Sequence, residues 1–208
     1  MAELYDAILS GNISGAQEAA STSLGGGQPA GDILHQEIIP AMEEVGRRFE
    51  ANEIFVPQLL LSEHTMKTAM KIIAAALVDS GVESAGRVVI GTVESDLHSI
   101  GKNLVCSMLE GCGFEVIDLG IDVKPQAFVE KAKEKEGTIV ALSALLTTTM
   151  PNMKVVIDAL VEAGIRDTTK VIIGGAPVNQ AYADQIGADG YGENASAAIR
   201  AVRTLVAS

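Results

Sequence analysis

The sequence predicts an α/β protein in which a helical N-terminal part precedes a doubly wound parallel sheet of five strands. In residues 1–80, apolar side chains recur at helical spacing; from residue 87 onward, short Val/Ile-rich runs alternate with amphipathic segments. Continuous apolar strands separated by helices are typical of a parallel sheet that is covered on both faces. Five strands in this alternation favour the flavodoxin-like order 2-1-3-4-5, a Rossmann-type arrangement.

The N-terminal part, residues 1–80, is predicted to form a four-helix-type bundle. Its first helix runs from Leu4 to about Ser23 and ends before a Gly-rich loop. Pro57 fits the first turn of a later helix. Between them, one helix carries a single apolar stripe formed by Leu34, Ile38, Met42, Val45 and Phe49. Amphipathic helices with short connections form such bundles.

A stretch of small residues, 81–86, is predicted to link the bundle to a second domain, residues 87–208. The strands predicted in that domain are Arg87–Val93, Glu115–Leu119, Thr138–Ser143, Lys170–Ile173 and Gly190–Tyr191. The helices predicted there are 101–111, 125–136, 151–163, 178–186 and 194–206. In this strand order the switch point, where such sheets bind ligands, lies between strands one and three.

Composition excludes several classes of function. A formal net charge of −12 argues against nucleic acid, because phosphates would be repelled. The chain is 48% hydrophobic, which allows a sizeable core, yet no apolar run reaches the ~20 residues that a membrane span needs. The first residues include an acid and no basic region, unlike a signal peptide. We therefore expect a cytoplasmic protein with neither a nucleic-acid nor a membrane partner.

The loop after the first predicted strand carries Asp96 and His98, followed by Gly101. A carboxylate at this spacing can hold one imidazole nitrogen and leave the other to bind a ligand. Gly101 removes a side chain where a large ligand would approach the backbone. On its own, the Asp-x-His pair more often marks a helix cap beside a surface histidine.

Two further loops should meet this one at the carboxyl edge of the sheet. The loop after strand three, 143–149, contains four hydroxyl side chains, of which a helix cap before Pro151 accounts for one or two. The loop after strand four begins with Gly174-Gly175-Ala176-Pro177. This pair of glycines is either an ordinary turn or room for a ligand beside the backbone. The three loops together predict a ligand site at this edge.

These residues resemble a known signature. Asp96-Leu97-His98-Ser99-Ile100-Gly101, then Ser143-x-Leu145, then Gly174-Gly175 resemble the corrinoid-binding motifs of cobalamin-dependent methyltransferase systems, including the cobalamin-binding segment of methionine synthase. The stretch 43–59 is similar to the helical cap domain that precedes the corrinoid domain in that family. The resemblance implies that cobalamin or a related corrinoid binds, with its cobalt methylated in the carrier state.

The resemblance also implies roles for individual residues. His98 would be the cobalt ligand and Asp96 its hydrogen-bonded partner, with the Thr149 hydroxyl as the third member of this relay. The other cofactor-binding residues that the resemblance implies are Leu97, Ser99, Ile100, Gly101, Ser143, Leu145, Thr147, Gly174, Gly175, Ala176, Tyr191 and Gly192. A dry lid over the methyl group would be formed by Phe49, Val56 and Leu59, which without the resemblance are interpreted as bundle core.

The resemblance implies a methyl carrier, a corrinoid subunit of a methyltransferase system in one-carbon metabolism. It would not be a complete enzyme, because the sequence shows no nucleophile with a positioned base and the cofactor carries the difficult chemistry. Its partners would be a substrate-specific methyltransferase, an acceptor methyltransferase acting on tetrahydrofolate or a thiol, and a reductive activation protein. The donor is left open among methylamine, glycine betaine, methanol and aromatic methyl ethers. A corrinoid-dependent mutase subunit and a corrinoid-sensing regulator are the alternatives, disfavoured by the helical cap and by the lack of spare length or a basic patch.

Overall fold

The computed structural model describes residues 3–79 and 84–207. The chain forms two compact units, whose ranges are Met1–Ser84 with Glu110–Gly113 for the first and Ala85–Leu109 with Phe114–Ser208 for the second. Of the linker predicted at 81–86, residues 81–83 lie outside the described part of the chain.

The first unit is helical. Its elements are α1 (Glu3–Ser10), α2 (Ile13–Gly25), α3 (Ala30–Ile33), a π-helical turn (Leu34–Ile38), α4 (Ile39–Glu50) and α5 (Val56–Asp79). Helix α5 packs against α1, α2 and α4. The predicted stripe faces the core, because Leu34, Ile38, Met42 and Val45 are buried. Within the described residues, no helix is long and apolar enough to cross a membrane.

The single first helix predicted from Leu4 to about Ser23 is wrong, because the chain breaks it between α1 and α2. Gly11 adopts a φ of 70°, which ends α1 and which a residue with a side chain rarely adopts. The side chain of Asn12 then accepts a hydrogen bond of 3.0 Å from the Gly15 N–H and caps α2. A left-handed glycine followed by a capping asparagine therefore interrupts an otherwise helical pattern.

The π turn between α3 and α4 ends at Ile38, two residues before Pro40. Within it, the Ile39 N–H donates to the Leu34 carbonyl, one residue farther back than in an α-helix. A proline has no N–H to donate, and its ring crowds the carbonyl four residues earlier. The wider turn gives the helix a way to pass this position without ending.

The second unit contains the predicted doubly wound sheet. Its strands are β1 (Arg87–Thr92), β2 (Glu115–Asp118), β3 (Ile139–Ser143), β4 (Lys170–Gly174) and β5 (Gly190–Gly192). They are parallel and lie in the order β2-β1-β3-β4-β5, which confirms the predicted topology. The helices are α6 (Ile100–Gly111), α7 (Pro125–Lys133), α8 (Pro151–Glu162), α9 (Gln180–Ile186) and α10 (Ala195–Val206), with a short 3-10 helix at Arg166–Thr168.

The core of this unit lies between the sheet and its helices. Strand β1 is buried along its whole length, as a central strand covered on both faces must be. Val89, Val140 and Val171 are buried on three neighbouring strands and share one apolar cluster with Phe128 of α7. Gly91 makes room for that ring, since a Cβ at this position would lie 2.7 Å from Phe128 Cζ. The packed sheet gives the loops at its carboxyl edge a rigid base.

Candidate functional site

The candidate site lies at the carboxyl edge of the sheet, where β1, β3 and β4 end side by side. Thr92 at the end of β1 pairs with Ser143 at the end of β3, and Ser143 pairs with Gly174 at the end of β4. Pairing continues into the loops, where the Val93 N–H donates to the Ser143 carbonyl over 3.0 Å. The sheet register thus brings the three predicted motif loops to one edge.

The buried carboxylate of Asp96 is the centre of the site. Its Oδ1 accepts two hydrogen bonds from His98, 3.0 Å from the backbone nitrogen and 2.7 Å from ring Nδ1. Its Oδ2 accepts two from the β3–α8 loop, 2.8 Å from the Leu145 nitrogen and 2.6 Å from Thr149 Oγ1. Asp96 is fully buried and Thr149 nearly so. One carboxylate therefore joins two loops and holds one imidazole.

These four hydrogen bonds decide the charge of Asp96. Burial by itself would raise the pKa of its carboxyl group, but the bonds from the Thr149 hydroxyl, the Leu145 N–H and the two N–H groups of His98 hold that pKa well below its usual range. An ionised carboxylate only accepts hydrogen bonds, so His98 Nδ1 must carry a proton. The lone pair of the neutral imidazole is then on Nε2, which is the nitrogen able to coordinate a metal.

The imidazole lies among exposed apolar side chains. The His98 side chain is 49% exposed. Its neighbours Leu97 and Ile100 are 67% and 78% exposed, and Leu145 and Leu146 on the adjacent loop are exposed as well. Large apolar residues rarely gather on a free surface without a ligand or partner. A half-exposed imidazole whose Nε2 could coordinate a metal, within an apolar rim, fits a large, largely apolar ring that carries a metal.

The glycines of the predicted motifs divide into two kinds. A Cβ at Gly101 would meet nothing within 4 Å, so the chain itself does not require glycine there. Gly175 has a φ of 130° and its Cβ would lie 1.9 Å from the Ala144 carbonyl oxygen. A Cβ at Gly174 or Gly192 would also meet backbone atoms, at 3.0 Å and 2.7 Å. Packing explains these last three glycines, whereas the open space at Gly101 leaves room for a ligand.

The remaining predicted residues are spread over both units. Ser99 and Ser143 are half-buried beside the Asp96 loop and at the end of β3, and Thr147 and Ala176 are exposed on their loops. Tyr191 is half-buried on the edge strand β5. Phe49, Val56 and Leu59 belong to the helical unit, where Leu59 is fully buried, Phe49 half-buried and Val56 exposed.

Sequence reasoning missed residues that hold the loop in place. The fully buried Thr92 donates its hydroxyl to the His98 carbonyl over 2.8 Å. Lys102, buried in the first turn of α6, places Nζ 2.6 Å from both oxygens of Asp118 at the end of β2. Asp122 forms hydrogen bonds on both sides of the Ser95–Asp96 segment. Thr92 could have been identified from the sequence, because it is a polar residue at the end of an apolar strand. The sequence contains no comparable pattern that indicates the long-range contacts of Asp122.

Comparison with known protein families gives a match in each of the two units, and both matches have the same description. A family model described as a B12 binding domain matches residues 86–200, and a second model of the same description matches residues 1–74. The chain is 44% identical over 208 residues to trimethylamine corrinoid protein 1 of Methanosarcina acetivorans, an alignment that covers 99% of this chain and 96% of the relative.

Solved structures agree with the sequence comparison. A cobalamin-binding protein from Desulfitobacterium hafniense matches with a TM-score of 0.80 and 33% identity, covering 97% of this chain and 96% of that one. A chain of the methanol:cobalamin methyltransferase complex from Methanosarcina barkeri matches with a TM-score of 0.86 and 29% identity, covering 99% of this chain and 79% of that one.

Proposed function

Because the chain belongs to the family of B12-binding corrinoid proteins, we propose that it is a methyl carrier, with His98 as the lower ligand of the corrinoid cobalt. The observation that carries this proposal is the pairing of His98 Nδ1 with the buried Asp96 carboxylate at 2.7 Å, which leaves Nε2 to coordinate. When bound, the corrinoid supplies a cobalt centre that accepts a methyl group and gives it up again.

Asp96 and its partners would hold the ligand in one state. A histidine that coordinates a metal usually donates its other ring N–H to a carboxylate, which fixes the tautomer and the ring orientation. Here Asp96 provides that acceptor. Thr149 Oγ1 lies 2.6 Å from Asp96 Oδ2 and 3.0 Å from the Leu146 carbonyl, and its single proton favours the charged acceptor. Thr149 thereby completes a relay from the β3–α8 loop to the imidazole.

The apolar rim of Leu97, Ile100, Leu145 and Leu146 would contact the corrin ring and keep water from the cobalt–histidine bond, with Gly101 giving the ring room. We extend the proposal to the residues for which contacts with the rest of the corrinoid were predicted, namely Ser99, Ser143, Thr147, Gly174, Gly175, Ala176, Tyr191 and Gly192. We also propose the division predicted from the sequence, with a cap of residues 1–80, a linker of 81–86 and a corrinoid-binding domain of 87–208.

In the same proposal, Phe49, Val56 and Leu59 of the cap cover the methyl group. Apolar walls would protect a reduced, reactive cobalt from water. The exposed side chain of Val56 and the neighbouring Phe55, also exposed, give the helical unit apolar surface for this role. Leu59, fully buried in the helical unit, would contribute only after a rearrangement.

A methylated amine is the methyl donor that we propose. The full-length relative at 44% identity is a trimethylamine corrinoid protein, whereas the match from the methanol system is 29% identical. The partners would then be an amine-specific methyltransferase, an acceptor methyltransferase and a reductive activation protein, all in the cytoplasm. The partner methyltransferase would determine which donor is used, because the residues proposed for the site in this chain would contact the cofactor and not the donor.

Transfer of a labelled methyl group tests this function. The protein is loaded with hydroxocobalamin, reduced, and incubated with carbon-14-labelled trimethylamine and a trimethylamine methyltransferase, or with labelled methanol and its methyltransferase. We expect label on the protein-bound corrinoid from the amine and much less from methanol. Label from methanol alone would contradict the proposed donor. A corrinoid-loaded protein that takes label from neither donor would contradict the carrier role.

A further inference from the structure

We propose that Asp122 is a positioning residue for the Asp96–His98 pair, although it belongs to a different loop, between β2 and α7. Asp122 Oδ1 accepts a hydrogen bond of 2.7 Å from the Ser95 N–H, across 27 positions in the sequence. The inference rests on the proposed role of His98 as lower ligand, and the experiment below separates the two.

Asp122 holds the Ser95–Asp96 segment from two directions. Its carboxylate accepts from the Ser95 N–H at 2.7 Å, and its own N–H donates to the Asp96 carbonyl at 3.0 Å. The two bonds lie on either side of the segment that carries the Asp96 side chain. The backbone of the Ser95–Asp96 segment therefore cannot shift relative to the neighbouring loop without straining one of them.

The backbone at this contact adopts an uncommon conformation on both sides. Ser95 has a φ of 67° and Asp122 a φ of 53°, both in the left-handed region. This region is unfavourable for a residue with a side chain, and it persists only where surrounding contacts impose it. The two strained residues face each other and share a hydrogen bond, so the contact that joins them also maintains their conformation.

The loop that carries Asp122 is itself fixed to the sheet. Before Asp122, the Gly120 carbonyl accepts from the Thr92 N–H at 3.0 Å. After it, the Val123 N–H donates to the Thr92 carbonyl at 3.0 Å. Asp122 therefore reaches Ser95 from a position anchored on both sides to the end of β1. It can act as a rigid reference for the loop that carries Asp96.

A shift of Asp96 would reach the imidazole directly. Asp96 Oδ1 holds His98 through both its backbone and its ring N–H, so displacement of the carboxylate turns the ring that must coordinate cobalt. In the described part of the chain, the hydrogen bonds of Asp122 go to Ser95 and Asp96 and not to His98. Loss of a direct hydrogen-bond partner of a metal ligand typically weakens coordination about 10- to 100-fold. Asp122 acts one contact farther out, so we expect a smaller loss in Asp122→Gly than in Asp96→Asn.

Two substitutions isolate the side-chain contact. Asp122→Gly removes the carboxylate that accepts from the Ser95 N–H. Glycine adopts a φ of 53° freely, so the loop keeps its path. Asp122→Asn is the matched control, because its amide oxygen can still accept from the Ser95 N–H and asparagine tolerates the left-handed region. Circular dichroism checks that both variants fold. If Asp122→Gly does not, the wild type and both variants are compared in a stabilising concentration of sucrose, which favours the folded state.

Amide hydrogen exchange in the corrinoid-free protein gives the first readout. The Leu145 N–H is bonded to Asp96 Oδ2 at 2.8 Å, while the adjacent Ala144 N–H is bonded to the Gly174 carbonyl at 3.2 Å. We expect Asp122→Gly to speed amide exchange at Leu145 about tenfold and to leave the exchange rate of Ala144 unchanged. In Asp122→Asn, both rates should resemble those of the wild type. This comparison requires no cofactor and therefore does not depend on the proposed function.

The second readout is the lower ligand of cobalt(II) in the loaded protein, observed by electron paramagnetic resonance. We expect a smaller histidine-coordinated fraction in Asp122→Gly and recovery in Asp122→Asn. Absence of histidine coordination in the wild type would overturn the proposed function. If the wild type shows it, an unchanged coordinated fraction in Asp122→Gly, or an unchanged Leu145 exchange rate, would overturn the role of Asp122 alone.

Discussion

Thr149 Oγ1 donates a 2.6 Å hydrogen bond to Asp96 Oδ2, although 53 positions separate the two residues in the sequence. The two oxygens of Asp96 have different tasks, because Oδ1 serves His98 and Oδ2 serves the β3–α8 loop. The same carboxylate thus tethers two loops and positions a histidine. Substitutions on its two sides should therefore have separable effects on stability and on cobalt coordination.

Thr149→Val tests the tether. Valine has nearly the shape of threonine but leaves Asp96 Oδ2 with the Leu145 N–H as its partner, so part of a buried charge loses a hydrogen bond. We expect the corrinoid-free protein to lose about 1–3 kcal/mol of stability, measured as a lower midpoint of urea unfolding by circular dichroism. Thr149→Ser retains the hydroxyl and should unfold close to the wild type. Equal midpoints for the valine and serine variants would show that the bond contributes nothing.

Asp96→Asn tests the histidine side of the carboxylate. An asparagine has one acceptor oxygen, so its NH₂ group must face either the two N–H groups of His98 or the Thr149–Leu145 pair. Either orientation leaves donors without an acceptor, and the imidazole loses its charged partner. We expect coordination of cobalt by His98 to weaken about 10- to 100-fold, measured from the absorption spectrum of the loaded protein. If Asp96 merely capped the following helix, coordination would be unchanged.

Gly101 and Gly175 should respond in opposite ways to the same substitution. Gly101→Ala places a methyl group in open space in the first turn of α6, so the corrinoid-free protein should gain up to about 1 kcal/mol of stability. If the corrin ring occupies that space, its affinity should fall by about 1–3 kcal/mol, roughly 5- to 150-fold. Gly175→Ala should instead destabilise the corrinoid-free protein, since its Cβ would meet the Ala144 carbonyl.

Thermal unfolding and a corrinoid titration of both glycine variants provide the measurement. Unchanged affinity in Gly101→Ala would mean that the ring does not approach Gly101.

Ser95→Gly should stabilise the corrinoid-free protein. Serine at a φ of 67° pays about 1–2 kcal/mol for the left-handed backbone, which glycine avoids, while the greater freedom of glycine in the unfolded chain costs about 0.4–1 kcal/mol. The expected net gain is a few tenths to about 1 kcal/mol in urea unfolding. Ser99→Gly is the control in the same loop, because Ser99 does not have a positive φ. A destabilised Ser95→Gly variant would contradict the assignment of strain to this residue.

The architecture, and with it the meeting of the three motif loops at one sheet edge, followed from local patterns. Val/Ile runs alternating with helices predicted the strand order, and the strand order placed Asp96, Ser143 and Gly174 at one sheet edge. The break at Gly11–Asn12 was missed because alanine-rich periodicity continues through it, although a glycine before a capping asparagine was a readable signal. The spacing of apolar residues shows which face of a helix is buried. It does not show where a single residue with a changed φ breaks the helix.

The supports of the site could not be predicted in the same way. The role of Asp122 depends on two loops adopting left-handed conformations that bring Ser95 within reach, and no local pattern encodes that meeting. Gly175 was interpreted from the sequence as a turn or as space for a ligand, and the structure gives it a packing reason, the close approach of the Ala144 carbonyl. Side chains proposed to bind a ligand are visible in a motif, whereas those that hold the motif in place depend on long-range contacts.

The identity of the lower ligand of cobalt decides whether His98 holds the corrinoid. The protein is produced with nitrogen-15 histidine, loaded with cobalamin and reduced to cobalt(II), and its electron paramagnetic resonance spectrum is compared with that of unlabelled protein. The chain contains two other histidines, His35 and His64, whose alanine variants serve as controls. We predict that histidine labelling changes the nitrogen splitting in the wild type and in both controls, and that His98→Ala abolishes this effect. A spectrum that histidine labelling leaves unchanged, with the benzimidazole of cobalamin still coordinated, would contradict the account.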